Sequence, residues 1–162
     1  MKKTLISIGL IMMTALFSNT YANFDASRNY SSNEIKLMTR SCERGYLDDC
    51  NTIGLIYFNK DKDLSKAIDS FTRVCNGGHM SGCYLLGKLL VDNKKMIKAI
   101  EPFTKACNGD IMEGCMYLGS LYGFGEGVQQ DISKADRLMR KACNGGVKYA
   151  CETLEKRLYD KE

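Results

Sequence analysis

The stretch KAIEPFTKACNGDIMEGCMYLGSLY, residues 98–122, decides the fold of this chain. Ala99, Ile100, Phe103 and Ala106 fall at i, i+1, i+4 and i+7, the spacing of one helix face. Leu118, Leu121 and Tyr122 make a second apolar stripe of the same period. Between the stripes lie two cysteines, Cys107 and Cys115, with Asn-Gly directly after the first. Asn-Gly is a helix stop, because glycine tolerates the left-handed conformation a helix end requires. The stretch therefore reads as helix, tight turn, helix, with one cysteine on each side of the turn.

The same pattern recurs along the chain. Cys42/Cys50, Cys75/Cys83 and Cys143/Cys151 repeat the spacing of Cys107/Cys115, and the first members stand 33, 32 and 36 residues apart. Four equal spacings make an internal repeat of 32–36 residues. KAIDSFTRVC (66–75) and KADRLMRKAC (134–143) match 98–107, while NTIGLIY (51–57) and YLLGKLL (84–90) match 116–122. The longest interval holds GFGEGVQQD (123–131); the other connections shrink to Asn59–Asp63 and Asp92–Lys95. Asp63 and Asp131 stand where N-caps belong.

The periodicity predicts eight helices, over 33–43, 47–58, 64–75, 80–91, 96–107, 112–123, 132–143 and 147–159. No segment alternates with period two, so no sheet is expected. A helix pair cannot bury its stripe alone, but stacked pairs can. The fold class is all-α: a right-handed α-solenoid of about four disulfide-stapled helix-turn-helix repeats. In each tight hairpin the two cysteines face one another about one turn from the connection, which meets the geometric limit of a disulfide. The pairs Cys42–Cys50, Cys75–Cys83, Cys107–Cys115 and Cys143–Cys151 follow.

Residues 1–22, MKKTLISIGLIMMTALFSNTYA, read as a signal peptide. Lys2 and Lys3 form its basic end, Leu5 to Phe17 its apolar middle, and Thr20-Tyr-Ala22 its cleavage site. The alternative is an uncleaved anchor, for which the apolar stretch is short. Residues 23–32 are expected to be a flexible lead-in and 33–162 a single repeat domain. The expected location is secreted or periplasmic, where disulfides persist.

Composition removes several functions. Of 162 residues 44% are hydrophobic and 26% charged, a globular balance. Net charge is +4, and without Lys2 and Lys3 there are 21 basic against 19 acidic residues. Such a chain gives no electrostatic case for nucleic acid or an anionic membrane. His79 is the one histidine, so no zinc site built on several histidines can form. Cysteines with seven residues between them fit disulfides better than zinc knuckles, and no Cys-x-x-Cys-His supports haem. No cofactor or metal is expected. Gly123-x-Gly-x-Gly127 follows no strand and reads as a connector needing positive φ. Lys60–Asp63 and Asn93–Lys95 read as solvated loops, His79 as an exposed turn residue, and Pro102 as a helix kink.

Gly114-Cys-Met-Tyr-Leu-Gly-Ser-Leu-Tyr122, Gly123-Phe-Gly-Glu-Gly-Val128, Asp131 and Lys134-Ala135 resemble the Sel-one-like repeat, a relative of the tetratricopeptide repeat. With its paired cysteines the chain from about residue 33 is similar to the Helicobacter cysteine-rich protein family. It departs from that pattern in two shortened loops, in Glu155 where the Leu-Gly glycine would stand, and in a weak first copy. The resemblance implies a β-lactamase label, with penicillin binding and slow hydrolysis. Ser-x-x-Lys, Ser-Asp-Asn and Lys-Thr-Gly are all absent, so no catalytic residue is assigned. The resemblance also implies a concave groove lined by the −2, +1 and +5 positions around each second cysteine. These are Asp48, Asn51, Leu55, Ser81, Tyr84, Lys88, Glu113, Met116, Ser120, Tyr149, Glu152 and Lys156. The expected partner is a protein or peptide in the envelope or host, with a β-lactam or cell-wall peptide as the alternative.

Overall fold

The computed structural model describes residues 28–159. The expected signal peptide and the start of the 23–32 lead-in lie outside the described residues. Among the described residues there are eight α-helices and no strand. They are α1 (Ser32–Glu43), α2 (Leu47–Ile56), α3 (Leu64–Asn76), α4 (Met80–Asp92), α5 (Met96–Asn108), α6 (Met112–Phe124), α7 (Ile132–Asn144) and α8 (Lys148–Tyr159). Each helix packs on its neighbours in sequence, which makes an α-solenoid. The even-numbered helices form one layer and the odd-numbered helices the other.

The local chemistry sets the helix ends. Ser31 caps α1: its hydroxyl accepts from the Glu34 N–H, while the Glu34 carboxylate accepts from the Ser31 N–H at 2.8 Å. The end of the 23–32 stretch is therefore tied to the first helix. Asp63 and Asp131 cap α3 and α7, accepting from the N–H groups of Lys66 and Lys134. α2 runs on into a π-helical turn, Tyr57–Asp61, which Lys62 ends with φ 54°. α5 passes through Pro102 within one unbroken helix. In the longest connection Gly125 and Gly127 take positive φ and Gly123 stays helical. His79 is half-buried at the N-cap of α4.

One expectation about the stops changes. The left-handed residue is not the glycine of Asn-Gly but the residue after it: Gly78, Asp110 and Gly146, with φ 88°, 61° and 94°. Gly77, Gly109 and Gly145 have ordinary negative φ. Their glycine is required by close packing. A Cβ there would lie 2.2 Å from Leu47, 2.1 Å from Met80 and 2.3 Å from Met112, each the first residue of the helix before the one that the glycine ends. Arg44 occupies this position in the first copy, where no such helix precedes it among the described residues.

All four hairpins carry the expected disulfides, each closing a sequence separation of eight. The core runs between the layers. Phe71, Phe103, Ile53, Ile56 and Val74 are fully buried. Met139 takes the register of Phe71 and Phe103 in α7 and centres a second, smaller cluster with Ala142 and Ala150. No described helix is long and apolar enough to cross a membrane.

Candidate binding face

Offsets of three and four residues put the −2, +1 and +5 positions on one side of a helix. These positions occur on α2, α4, α6 and α8, all in one layer. Asp48, Lys88, Glu113, Tyr149, Glu152 and Lys156 are exposed along it. Asn51, Leu55, Ser81, Tyr84, Met116 and Ser120 are half-buried. Leu55 and Tyr84 pack against the main core and Met116 against the smaller cluster, so these three also hold the layer together.

Two features join the helices into one surface. The Tyr84 ring lies 6.0 Å from that of Tyr117, and Tyr117 stacks on Phe103 at 5.1 Å with the planes 7° apart. Burial holds the Tyr84 phenol above its ordinary range, and Tyr117 and the Glu113 carboxylate add to the effect. Tyr84 from α4 and Glu113 from α6 therefore share one electrostatic environment. Sequence reasoning missed Tyr117, because it stands one position beyond the set carried over by resemblance.

Asn51 is the unusual member. Its Oδ1 is buried and has no hydrogen-bond partner. A buried orphan acceptor costs stability, and native structures rarely leave one without a reason.

The face carries amide, hydroxyl, carboxylate and ammonium groups. Among the described residues every cysteine is in a disulfide, so no thiol nucleophile is presented. No three His, Cys, Asp or Glu side chains among them lie close enough to hold a metal ion.

With this geometry in hand, three solved structures are informative. A Sel1 repeat protein from Oxalobacter formigenes superposes with a TM-score of 0.61 at 22% identity, covering 73% of this chain and 51% of that one. A protective antigen present in uropathogenic Escherichia coli strains, displaying an SLR fold, gives 0.70 at 21% identity and covers 82% and 29%. The fold is that of the Sel1-like repeat. Helicobacter pylori cysteine rich protein B gives a TM-score of 0.56 at 26% identity and covers 75% of this chain and 92% of that one. These neighbours match the Sel-one-like, cysteine-rich resemblance read from the residues. The chain spans about half of the Oxalobacter chain and under a third of the Escherichia one. No protein-family model and no curated protein sequence matches it.

Proposed function

We infer that this is a disulfide-stapled Sel1-like repeat protein of an oxidising compartment that binds an extended protein or peptide segment on the face of α2, α4, α6 and α8. The observation that carries the reading is the buried, unpartnered Oδ1 of Asn51. The Asn51 side chain is half-buried, and a turn about its side-chain bonds would bring that acceptor to the surface, where a backbone N–H of an extended peptide would satisfy it. Tyr84 on α4 and Met116 on α6 offer half-buried apolar surface for the peptide's side chains. The rigid hairpins hold the face in shape, so little ordering entropy is lost on binding. Four disulfides and no membrane-crossing helix among the described residues support a secreted or periplasmic setting.

The test is selection of peptides from a random displayed library against the oxidised protein, followed by affinity measurement on Asn51→Leu and Tyr84→Ala. Loss of at least tenfold in both variants is expected. Equal binding to both would overturn the reading. Saturable hydrolysis of a chromogenic β-lactam by the oxidised protein, absent from a reduced control, would replace it with an enzyme.

A further inference from the structure

A cleft beside the odd-numbered helices is lined by different residues from the face described above. Arg73, Lys105 and Lys141 share one register, two positions before the first cysteine of their hairpins. Lys141 spans the gap between α7 and α5: its ammonium donates to the Cys107 carbonyl at 2.8 Å and pairs with Asp110 at 3.3 Å. Lys105 does not make the equivalent reach to α3. It turns back onto Glu101, one turn earlier on its own helix, at 2.8 Å. The local sequence explains the difference. Arg137 stands in α7 where Glu101 stands in α5, and Gly78 follows α3 where Asp110 follows α5. Lys141 has no acid one turn back and an acid ahead; Lys105 has the reverse.

The gap between α3 and α5 is an open cleft of about 500 Å³. This lies in the size range of small-ligand sites. Ile68, Leu86, Leu90 and Pro102 give it apolar walls, with Lys98 and the paired Glu101 and Lys105 at the edge. Pro102 has no N–H, so the carbonyl of Lys98, four residues earlier, loses its ladder donor. The proline ring also pushes that carbonyl away from the helix. The Lys98 ammonium is exposed and forms no ion pair among the described residues. Beside it Ile97 is 74% exposed. One lip thus offers an apolar hollow, a backbone acceptor without its ladder donor and an unpaired cation, the last two from a single residue.

A ligand that meets all three needs an apolar side chain, an N–H and an anion within the span of one residue. The last residue of a polypeptide has this arrangement, with amide N–H, side chain and α-carboxylate on one Cα. We propose that the α3/α5 cleft captures the free C-terminus of a partner polypeptide that ends in an apolar residue. The terminal side chain lies on Leu86 and Leu90, its N–H donates to the Lys98 carbonyl, and its carboxylate pairs with the Lys98 ammonium.

The test titrates the oxidised full chain with a fluorescein-labelled Gly-Gly-Phe-Leu peptide carrying a free carboxylate, and with the same peptide amidated, read by anisotropy. The acid should bind at least tenfold tighter than the amide. Lys98→Gln should remove that difference. Pro102→Ala restores an N–H to the Lys98 carbonyl and should weaken both peptides while leaving the helix intact. The preference for the acid over the amide should persist in Asn51→Leu, which separates this site from the other face. Equal binding of acid and amide, no binding by either, or undiminished affinity in Pro102→Ala would overturn the proposal.

Discussion

A methyl group on Gly87 would lie 2.6 Å from the ring of Phe103, which is fully buried and has nowhere to go. Gly87→Ala should therefore destabilise the protein by about 1–3 kcal/mol in urea unfolding, the usual cost of overpacking. Glu155 stands at the same register in α8, where no described helix follows to supply a ring. Glu155→Ala should change stability by less than about 0.5 kcal/mol, as expected at an exposed site. The sequence marks Glu155 as a departure from the repeat. The glycines after the asparagines were legible as stops but not as contacts. Their clash with Leu47, Met80 and Met112 depends on how neighbouring hairpins stack, and no local pattern encodes that.

Helix caps act at the scale of the element. Asp131→Ala removes the acceptor for the Lys134 N–H and should cost about 1 kcal/mol in the same unfolding experiment. The carboxyls of Glu34, Asp63 and Glu101 all sit below their ordinary range. The leading causes are the Ser31 N–H for Glu34, the Lys66 ammonium for Asp63 and the Lys105 ammonium for Glu101. A carboxyl depressed in the folded state binds protons more readily when unfolded. Its stabilisation is present above the unfolded values of 4.5 and 3.8 and is lost as pH falls through the lower folded values. The thermal midpoint should fall on acidification below about pH 4, and less steeply in Asp63→Asn. Helix positions were readable to within a residue or two, because apolar period, cysteine and cap coincide at each one. The π-helical turn at Tyr57–Asp61 was not, since Tyr57 and Phe58 continue the helical apolar pattern without a break.

At the scale of the whole molecule, stability is shared between stacking and four short covalent loops. A nine-residue loop is worth roughly 2.5 kcal/mol in the chain-entropy model, so the four together contribute at most about 10 kcal/mol. That is comparable to the net stability of a domain, and a reductant should lower the thermal midpoint sharply. An unmoved midpoint would show that the staples contribute little. The loops should not open together. Cys42, Cys50, Cys75, Cys83, Cys107 and Cys115 are buried, whereas Cys143 and Cys151 are half-exposed. Brief treatment with reductant, alkylation and peptide mass mapping should find Cys143 and Cys151 labelled first. The architecture was legible because the cysteine spacing measures the repeat. The candidate sites were less so. The orphan acceptor of Asn51 and the open α3/α5 gap arise from contacts between helices that sequence places far apart.

Every staple closes inside a hairpin and none joins one hairpin to the next, which gives the chain two kinds of joint under tension. Pulled from its ends, the oxidised protein can unravel at the seams and along the helices outside the bridges, while each disulfide shields the seven residues it encloses from the load. At about 3.4 Å per residue, each intact bridge hides roughly 23 Å of chain, and four hide roughly 90 Å. In a single-molecule pulling record, the full extension of the oxidised chain should therefore fall short of the reduced chain by about that length.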